Sequence, residues 1–410
     1  MLSGALVAAA ATAGPSFAAI AEFRATLFTR ALYSQDIFRT GADAQHDFLA
    51  TFGAGVDWHL TTARSTWQLT YTPQYSAYSR FDQLNHLDHQ AQGSWRLQAS
   101  RRTVFGVSQG YSLSNRQSTF HDFQGVVGDP ANPVVPTTRR VNWDVTPFQT
   151  TELSRLWSLA TEATYRSLTF SRPDLIDTRQ IGLQTTLTAR VGEDQRIGGR
   201  VRGDRFDYSE QAGTQGVAPL DRFLSAQFVW ARERAGIFNW FTSGGYYQAR
   251  GAGAPSLAKP TADVAGTWTF RASHLRLGYS LGYSASGGFG GSARNHSAEI
   301  DFSRQWGSGL EASVRGSYFR REPLDRTLPG AVDVEGGALD LQGVYRWRTG
   351  LGIQMTVDDV HQNRPGSPTL DYREAALGLV FSPARPARPT APPPAAAAFA
   401  RAAAPLRSGV

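Results

Sequence analysis

Residues 275–283 alternate strictly between apolar side chains and small or charged ones. The apolar side consists of Leu275, Leu277, Tyr279, Leu281 and Tyr283, and the other side consists of Arg276, Gly278, Ser280 and Gly282. A period of two is that of a β-strand with one face on an apolar medium. The alternation recurs over 180–190 and 351–358. Many such strands allow two folds, a soluble β-sandwich or a barrel whose apolar side faces lipid.

The lengths of the connecting segments distinguish these two folds. Short connectors are predicted near 61–63, 100–102, 192–195, 232–236, 272–274, 307–309 and 348–350. Longer polar or Gly/Pro-rich connectors are predicted near 34–45, 81–85, 118–138, 171–177, 210–220, 251–260, 284–292, 320–335 and 361–369. Short and long connectors mostly alternate, as do the periplasmic turns and outer loops of transmembrane barrels.

The sequence therefore predicts an all-β fold, a transmembrane up-and-down antiparallel β-barrel of about eighteen strands. Sixteen strands is the alternative, because 21–34 and 138–153 show the weakest strand patterns. The mean hydropathy of −0.33 fits a barrel, since half of every strand faces water. No apolar run approaches the roughly 18 residues of a spanning helix, which excludes the inner membrane and predicts the outer membrane of a Gram-negative cell.

The absence of cysteine excludes thiolate catalysis, cysteine metal sites and disulfides. Aromatic side chains occur near many predicted strand ends, at Trp58, Trp67, Tyr78, Trp95, Trp143, Trp157, Trp230, Trp240, Trp306 and Trp347. Such residues form the girdles of membrane barrels at the headgroup level. The alternative is the general preference of these residues for strands.

Three segments are predicted along the chain. Residues 1–18 are apolar and small and end in Ser16-Phe17-Ala18, which is typical of a cleaved signal peptide, although a positive start is missing. Residues 19–382 form the barrel. Its last strand, ending at Phe381, is similar to the closing-strand signal that the barrel assembly machinery recognises. Residues 383–410, rich in Pro, Ala and Arg, are predicted to be a disordered periplasmic tail.

If the apolar residues of each strand face lipid, the residues that alternate with them, on the opposite parity of the strand, line the lumen. The predicted lumen-lining residues are Gln184, Arg190, Arg200, Arg202, Arg271, Arg276, Glu299, Asp301, Glu311, Arg315, Asp340, Arg346 and Asp358. They are polar and carry both signs of charge. At about eighteen strands a barrel is wide enough for an aqueous channel, so a water-filled pore is predicted.

Arginine dominates the positive charge, because Lys259 is the only lysine among the 41 basic residues. One interpretation is a lumen that attracts anionic solutes or acidic sugars, because the guanidinium pairs bidentately with carboxylate and phosphate. The other, which we favour, is bracing of the wall by ion pairs such as Glu299 or Asp301 with Arg315. Nucleic-acid binding is not expected, because the arginines are interleaved with lipid-facing residues rather than gathered in one patch.

Few residues form a recognisable catalytic, metal-binding or phosphate-binding motif. His86 and His89 would lie on opposite faces of one strand, which argues against a joint metal site. Asp358 and His361 could supply an acid–base pair at a loop edge, but no nucleophile is recognisable nearby. The glycine-rich run 287–291 has no helix after it and does not predict a phosphate loop. No cofactor and no metal site is predicted.

A resemblance adds to this interpretation. The stretch Leu84-Asn-His-Leu-Asp-His-Gln-Ala-Gln-Gly-Ser-Trp-Arg-Leu97, with Tyr111-Ser-Leu-Ser-Asn115 after it, resembles a family of uncharacterised outer-membrane β-barrel porins. The resemblance implies an outer-membrane porin-like protein without catalytic residues. Because such barrels often accompany exopolysaccharide synthesis and export systems, it also implies polysaccharide export components as partners.

The predicted function is a porin-like outer-membrane channel for hydrophilic solutes, with exopolysaccharide as one cargo, and not an enzyme. Its predicted partners are outer-membrane lipid and the barrel assembly machinery. Two alternatives stay open: a barrel enzyme with a His/Asp site at the outer rim, and a structural barrel with a closed lumen. The strands begin within about twenty residues of the predicted cleavage site, so no plug domain is expected ahead of the barrel. Loop 118–138 is the longest candidate for an internal constriction.

Overall fold

A computed structural model gives the structure of the chain. It describes residues 19–39, 44–115, 138–172, 175–209, 220–234, 238–250, 257–285, 292–307, 309–324, 333–347, 350–363 and 369–382. The predicted signal peptide, the predicted tail, the glycine-rich run 287–291 and most of the predicted loop 118–138 lie outside these residues.

The described residues form eighteen strands. They are β1 (Ile20–Ser34), β2 (Asp47–Thr61), β3 (Ser65–Tyr78), β4 (His86–Gln98), β5 (Thr103–Ser114), β6 (Arg140–Glu152), β7 (Trp157–Phe170), β8 (Thr178–Arg190), β9 (Gln195–Tyr208), β10 (Leu220–Arg234), β11 (Phe238–Arg250), β12 (Leu257–Phe270), β13 (Ser273–Ala285), β14 (Ser292–Trp306), β15 (Leu310–Pro323), β16 (Val334–Arg346), β17 (Leu351–Asn363) and β18 (Leu370–Phe381). A short 3₁₀ turn, Asp82–Leu84, precedes β4. No helix in the described part of the chain is long and apolar enough to cross a membrane.

The sheet closes on itself. Every strand pairs antiparallel with the strands before and after it in sequence, and β1 pairs with both β2 and β18. The closing register sets Leu27 opposite Phe381. Closure gives every strand two hydrogen-bonded neighbours, which a lipid environment demands because backbone groups find no water there. The predicted antiparallel barrel is confirmed, with eighteen strands rather than sixteen.

The connectors alternate strictly in length. Two to four residues join each even-numbered strand to the next strand, whereas six or more follow each odd-numbered strand. The turn 153–156 was not among the predicted short connectors. In the tight turns, Gly307 and Gly350 have φ of 59° and 86°, a region that glycine enters without a steric penalty. The short turns mark the periplasmic end and the long loops the outer end.

The two faces of each strand meet different media. On β8, Ile181 and Leu183 point outward with 53% and 56% of their surface exposed, whereas Gln180 and Thr186 on the opposite parity are buried. On β17, Leu351, Ile353 and Met355 are exposed in the same way. A continuous apolar exterior of this extent is stable only against acyl chains. The protein is therefore an outer-membrane barrel.

Tryptophan marks one boundary of the apolar exterior. Nine of the ten tryptophans lie close to the short-turn end of their strands or in a short turn, and Trp143 lies near the outer end. Several contact another aromatic ring, as do Trp67 with Trp95 at 5.5 Å and Trp230 with Trp240 at 4.4 Å between centroids. These rings form a girdle at the periplasmic interface. Tyr78, expected in a girdle, instead points inward and is buried.

Candidate functional site in the barrel lumen

The predicted lumen residues occupy β8, β9 and β13 to β17, with one exception. Arg271 lies in the turn between β12 and β13, with φ of 38°, so its prediction as a lumen-wall residue is wrong. The reason is that the hairpin begins one residue earlier than its pattern suggests, and strand parity does not apply to a turn. Arg190 and Arg346 are the last residues of β8 and β16, so they lie at the periplasmic rim. Arg346 pairs there with Glu311 at 3.2 Å.

A row of charged residues crosses six neighbouring strands on the inner face. Its members are direct register partners from β13 to β18, and we call them the charge row: Arg276, Asp301, Arg315, Asp340, Asp358 and Glu374. Because strands tilt in a barrel, the row climbs from near the periplasmic end on β13 to the outer half on β18. Three consecutive carboxylates, on β16 to β18, make that part of the wall acidic.

Arg315 is the central cation of the charge row. Its guanidinium lies 3.9 Å from Asp301 and 3.6 Å from Asp340 and donates a hydrogen bond of 2.7 Å to Gln342. Asp340 and Asp358 face one another in register, and like charges directly opposite each other repel. Arg315 offsets that repulsion on one side. Arg276 pairs at 3.2 Å with Glu299, which lies on the same face of β14 two residues from Asp301, the register partner of Arg276.

A loop residue completes the outer end of the charge row. Arg39, between β1 and β2, lies 3.4 Å from Glu374, and Ser34 donates a hydrogen bond of 3.1 Å to the same carboxylate. The guanidinium also lies over the ring of Tyr372, 4.7 Å from its centroid. Burial alone would lower the pKa of Arg39, but the fields of Tyr372 and Glu374 outweigh it and raise the pKa above its ordinary value. The first part of this loop thus folds into the lumen, where the guanidinium of Arg39 stays positively charged.

The opposite wall carries a pair of arginines. Arg202, on β9, donates hydrogen bonds of 2.6 and 3.1 Å to Asp204. Asp204 also accepts hydrogen bonds from Gln180 at 2.8 Å and from Tyr283 at 2.7 Å. Four donated hydrogen bonds to one carboxylate hold Arg202 and its neighbours in a fixed arrangement.

Arg200 faces the same space one step lower on β9. Its guanidinium lies 3.9 Å from Asp263 on β12 and 5.0 Å from the centroid of the Phe241 ring. Ser243 and Ser280 donate hydrogen bonds of 3.0 and 2.9 Å to Asp263. Arg200, Asp263 and Ser280 line one polar cavity together with Gln184 and Arg202, on the wall formed by β8 to β13. The two arginines on β9 lie seven to nine strands, nearly half-way round the barrel, from the carboxylates of β16 to β18.

An aromatic cluster lies on the inner face of β9, β10, β11 and β13 near the outer end of the lumen. It consists of Phe206, Tyr208, Phe223, Tyr247 and Tyr283. Phe223 and Tyr283 stack with centroids 4.0 Å apart, and Tyr208 contacts Ser292 of β14 at 2.5 Å. Tyr283, predicted on the lipid side, points inward. Pairing between β12 and β13 ends at Ala262 and Leu281, which frees the end of β13 to turn into the barrel. The cluster narrows this side of the outer mouth.

The histidines form neither of the two candidate pairs, and His86 and His89 lie on opposite faces of β4, as expected. His86 faces inward and contacts Asp88 at 3.2 Å, whereas His89 faces outward and contacts Tyr71. Asp358 belongs to the lumen wall, but His361 points outward and is hydrogen-bonded to Asp371. The acid–base pair of Asp358 and His361 is therefore not formed. The described residues contain no group of three or more acidic or histidine side chains that could hold a metal ion.

Sequence reasoning missed several members of the lumen wall. Glu374 alternates with the outward residues of β18, and Asp204 shares the parity of Arg200 and Arg202, so strand parity alone could have found both. Asp263 lies on a strand whose pattern is interrupted by Pro260. Arg39 lies in a loop, where no periodicity signals an inward position.

Comparisons with known proteins show resemblance at the level of solved structures. No family model matches the chain, and no curated protein matches it. The crystal structure of OccAB3 from Acinetobacter baumannii has 10% identity and a TM-score of 0.41 and covers 88% of this chain and 99% of that chain. OccK2 (OpdF) from Pseudomonas aeruginosa has 10% identity and a TM-score of 0.45, covering 88% and 98%. OccK9 (OpdG) from Pseudomonas aeruginosa has 12% identity and a TM-score of 0.43, with the same coverage.

Proposed function

We propose that the protein is an outer-membrane channel for hydrophilic solutes. The observation that carries the proposal is the contrast between the two faces of one sheet. The outward parity is apolar over most of the strand length, whereas the inward parity holds buried Asp, Glu, Arg, Gln, Ser and Thr side chains. Eighteen strands enclose enough width for water, and an inner wall of this polarity is stable where ion pairs, hydrogen bonds and water satisfy its polar groups.

The two walls of the lumen give the channel its proposed character. The carboxylates on β16 to β18 face the Arg200 and Arg202 side across the lumen, and Asp340, Asp358 and both arginines lie near the middle of their strands. A solute passing between them meets opposite charges on its two sides. Hydroxyl, amide and charged groups on both walls replace part of its hydration without any bond chemistry. The proposed solutes are therefore small, hydrophilic and polar or charged.

Conductance of the refolded protein in a planar bilayer tests this proposal. We expect discrete conductance steps in salt solution, and steps of unchanged size when His86 or His361 is replaced by Ala. A barrel that inserts and is heat-modifiable in electrophoresis but shows no conductance would contradict the channel. That outcome would favour a structural barrel closed by the aromatic cluster and the inward loop.

Export of exopolysaccharide is a narrower proposal, and its support is the resemblance of residues 84–97 and 111–115. Five aromatic rings do lie inside the lumen, but they pack against one another; four of them are buried and Tyr283 is partly buried. Their faces are thus occupied rather than presented to a sugar chain. Neutral and acidic oligosaccharides added to a conducting channel test the idea. Concentration-dependent blocking is the expected result, and conductance that no oligosaccharide changes would contradict it.

A further inference from the structure

The outer face of β10 shows where the membrane boundary lies. From the outer end, its outward residues are Arg222, Leu224, Ala226, Phe228, Trp230 and Arg232. The stretch from Arg222 to Arg232 spans about 34 Å along the strand, or about 26 Å along the membrane normal at a tilt of about 40°. This is close to the roughly 25 Å height of the apolar band of membrane barrels. Arg222 therefore lies at the headgroup level of the outer leaflet.

Arg222 is flanked by an arginine on each side. Its register partner on β9 is Arg205, and its register partner on β11 is Arg250. All three are exposed on the outside of the barrel, and we call them the arginine row. Register partners on antiparallel strands have Cα atoms about 4.5–5.5 Å apart. Three like charges at this spacing repel one another unless an anion lies among them.

The protein itself supplies little negative charge to the arginine row. Arg205 donates a hydrogen bond of 3.0 Å to Asp207. Neither Arg222 nor Arg250 has an acidic partner among the residues that the structure describes. The two loops that leave these strands, 209–219 and 251–256, contain one acidic residue in their sequence, Glu210.

Two exposed arginines elsewhere on the barrel exterior have acidic partners. Arg232, at the periplasmic end of β10, lies 2.9 Å from Asp194. Arg373, on the outward face of β18, lies 3.2 Å from Asp359, and its side chain is exposed like those of the arginine row. Among the described strands, three exposed outward arginines are direct register partners only at the outer ends of β9, β10 and β11.

We propose that the arginine row binds the phosphate group of an outer-leaflet lipid. Guanidinium groups bind phosphate through short, charge-assisted and often bidentate hydrogen bonds. Below the row, Leu224 lies one outward step from Arg222, and Tyr246 lies two outward steps from Arg250, beyond Gln248. Leu224 and Tyr246 expose 56% and 68% of their surface to the apolar layer, where acyl chains of the same lipid would lie. A solute inside the lumen cannot reach these side chains, because they project from the opposite face of the sheet.

Native mass spectrometry of the full-length protein tests the proposal. Purified barrel is mixed with lipid A in its phosphorylated form and, separately, with the same lipid after dephosphorylation. We expect the wild-type protein to retain the phosphorylated form preferentially, and the double variant Arg222→Gln/Arg250→Gln to bind it about tenfold more weakly. The matched control, Arg373→Gln, removes an exposed outward arginine that already has a partner and is expected to bind like the wild type.

Three results would overturn the proposal. One is equal retention of the two lipid forms by the wild-type protein, a comparison that requires no variant to fold. A second is unchanged affinity in a double variant whose heat-modifiable migration shows that it is folded. A third is that inorganic phosphate at millimolar concentration displaces the phosphorylated lipid completely, which would assign the arginine row to a soluble anion instead.

Discussion

Arg39 and Glu374 form a buried ion pair between the first long loop and the last strand of the barrel, with 3.4 Å between nitrogen and oxygen. The side chains are 4% and 9% exposed, so water screens the pair weakly. Because β18 pairs with β1 to close the barrel, the contact ties the loop to the seam where the two ends of the sheet meet. It also holds part of the loop inside the lumen.

Replacing Arg39 by Ala is expected to destabilise the barrel by about 3 kcal/mol and to increase its conductance. The carboxylate of Glu374 would stay buried without its cation, and breaking a buried pair from one side costs about 3–5 kcal/mol. Arg373→Ala serves as the control, because its pair with Asp359 is exposed and contributes less than about 1 kcal/mol. Loss of the heat-modifiable form in electrophoresis measures stability. Equal stability of the two variants would contradict the assigned role of Arg39.

The carboxylates of the charge row on β16 to β18 are expected to make the channel more permeable to cations than to anions. Replacing Asp340 and Asp358 together by Asn should lower the cation-to-anion permeability ratio about two- to fivefold, since the two closely opposed carboxyl groups together act by roughly 0.5–1 kcal/mol. Reversal potentials across a salt gradient measure this ratio. The effect should shrink in 1 M salt, where the Debye length is only about 3 Å.

The control for this selectivity is Glu335→Gln, because Glu335 also lies on β16 but is exposed on the outward parity. It should leave the reversal potential unchanged. Replacing Arg200 and Arg202 by Gln should shift the potential in the opposite direction. A shift of the same sign from both walls would show that permeating ions do not pass between them.

The aromatic cluster is expected to stabilise the outer end of the barrel. Phe206 is 1% exposed and packs edge-on against Phe223 at 5.5 Å. Phe206→Ala should cost about 3–5 kcal/mol, because it removes a buried ring and leaves a cavity. Phe228→Ala removes a ring that is 56% exposed to lipid and should cost distinctly less. The thermal loss of the folded form measures the stability of both variants. A larger destabilisation by Phe228→Ala than by Phe206→Ala would contradict the assignment of the aromatic cluster as a buried core.

The strands and their faces could be predicted because lipid on one side and water on the other impose a period of two on every strand. Ile181 and Gln184 were assigned to opposite faces in this way. The assignment of one end of the barrel to the periplasm and the other to the outside also followed from the sequence, because short and long connectors alternate along the chain.

The contacts within the lumen could not be predicted, because they depend on register. Nothing in the sequence near Asp358 indicates that Glu374 lies beside it; the offset between β17 and β18 decides that. The inward turn of Tyr283 depends on where the pairing of β12 with β13 ends. The position of Arg39 is a tertiary contact of a loop, which carries no periodic signal at all.

The central claim is that one face of each strand meets water and the other meets lipid, and a chain without cysteine allows a direct test. Arg276 and Leu277 are neighbours on β13 with comparable exposure, 47% for the side chain of Arg276 and 39% for Leu277. Each is replaced by Cys, and the membrane-inserted protein is treated with a water-soluble maleimide. We predict rapid labelling of Arg276→Cys and almost none of Leu277→Cys; equal labelling of both, or the reverse order, would contradict the account.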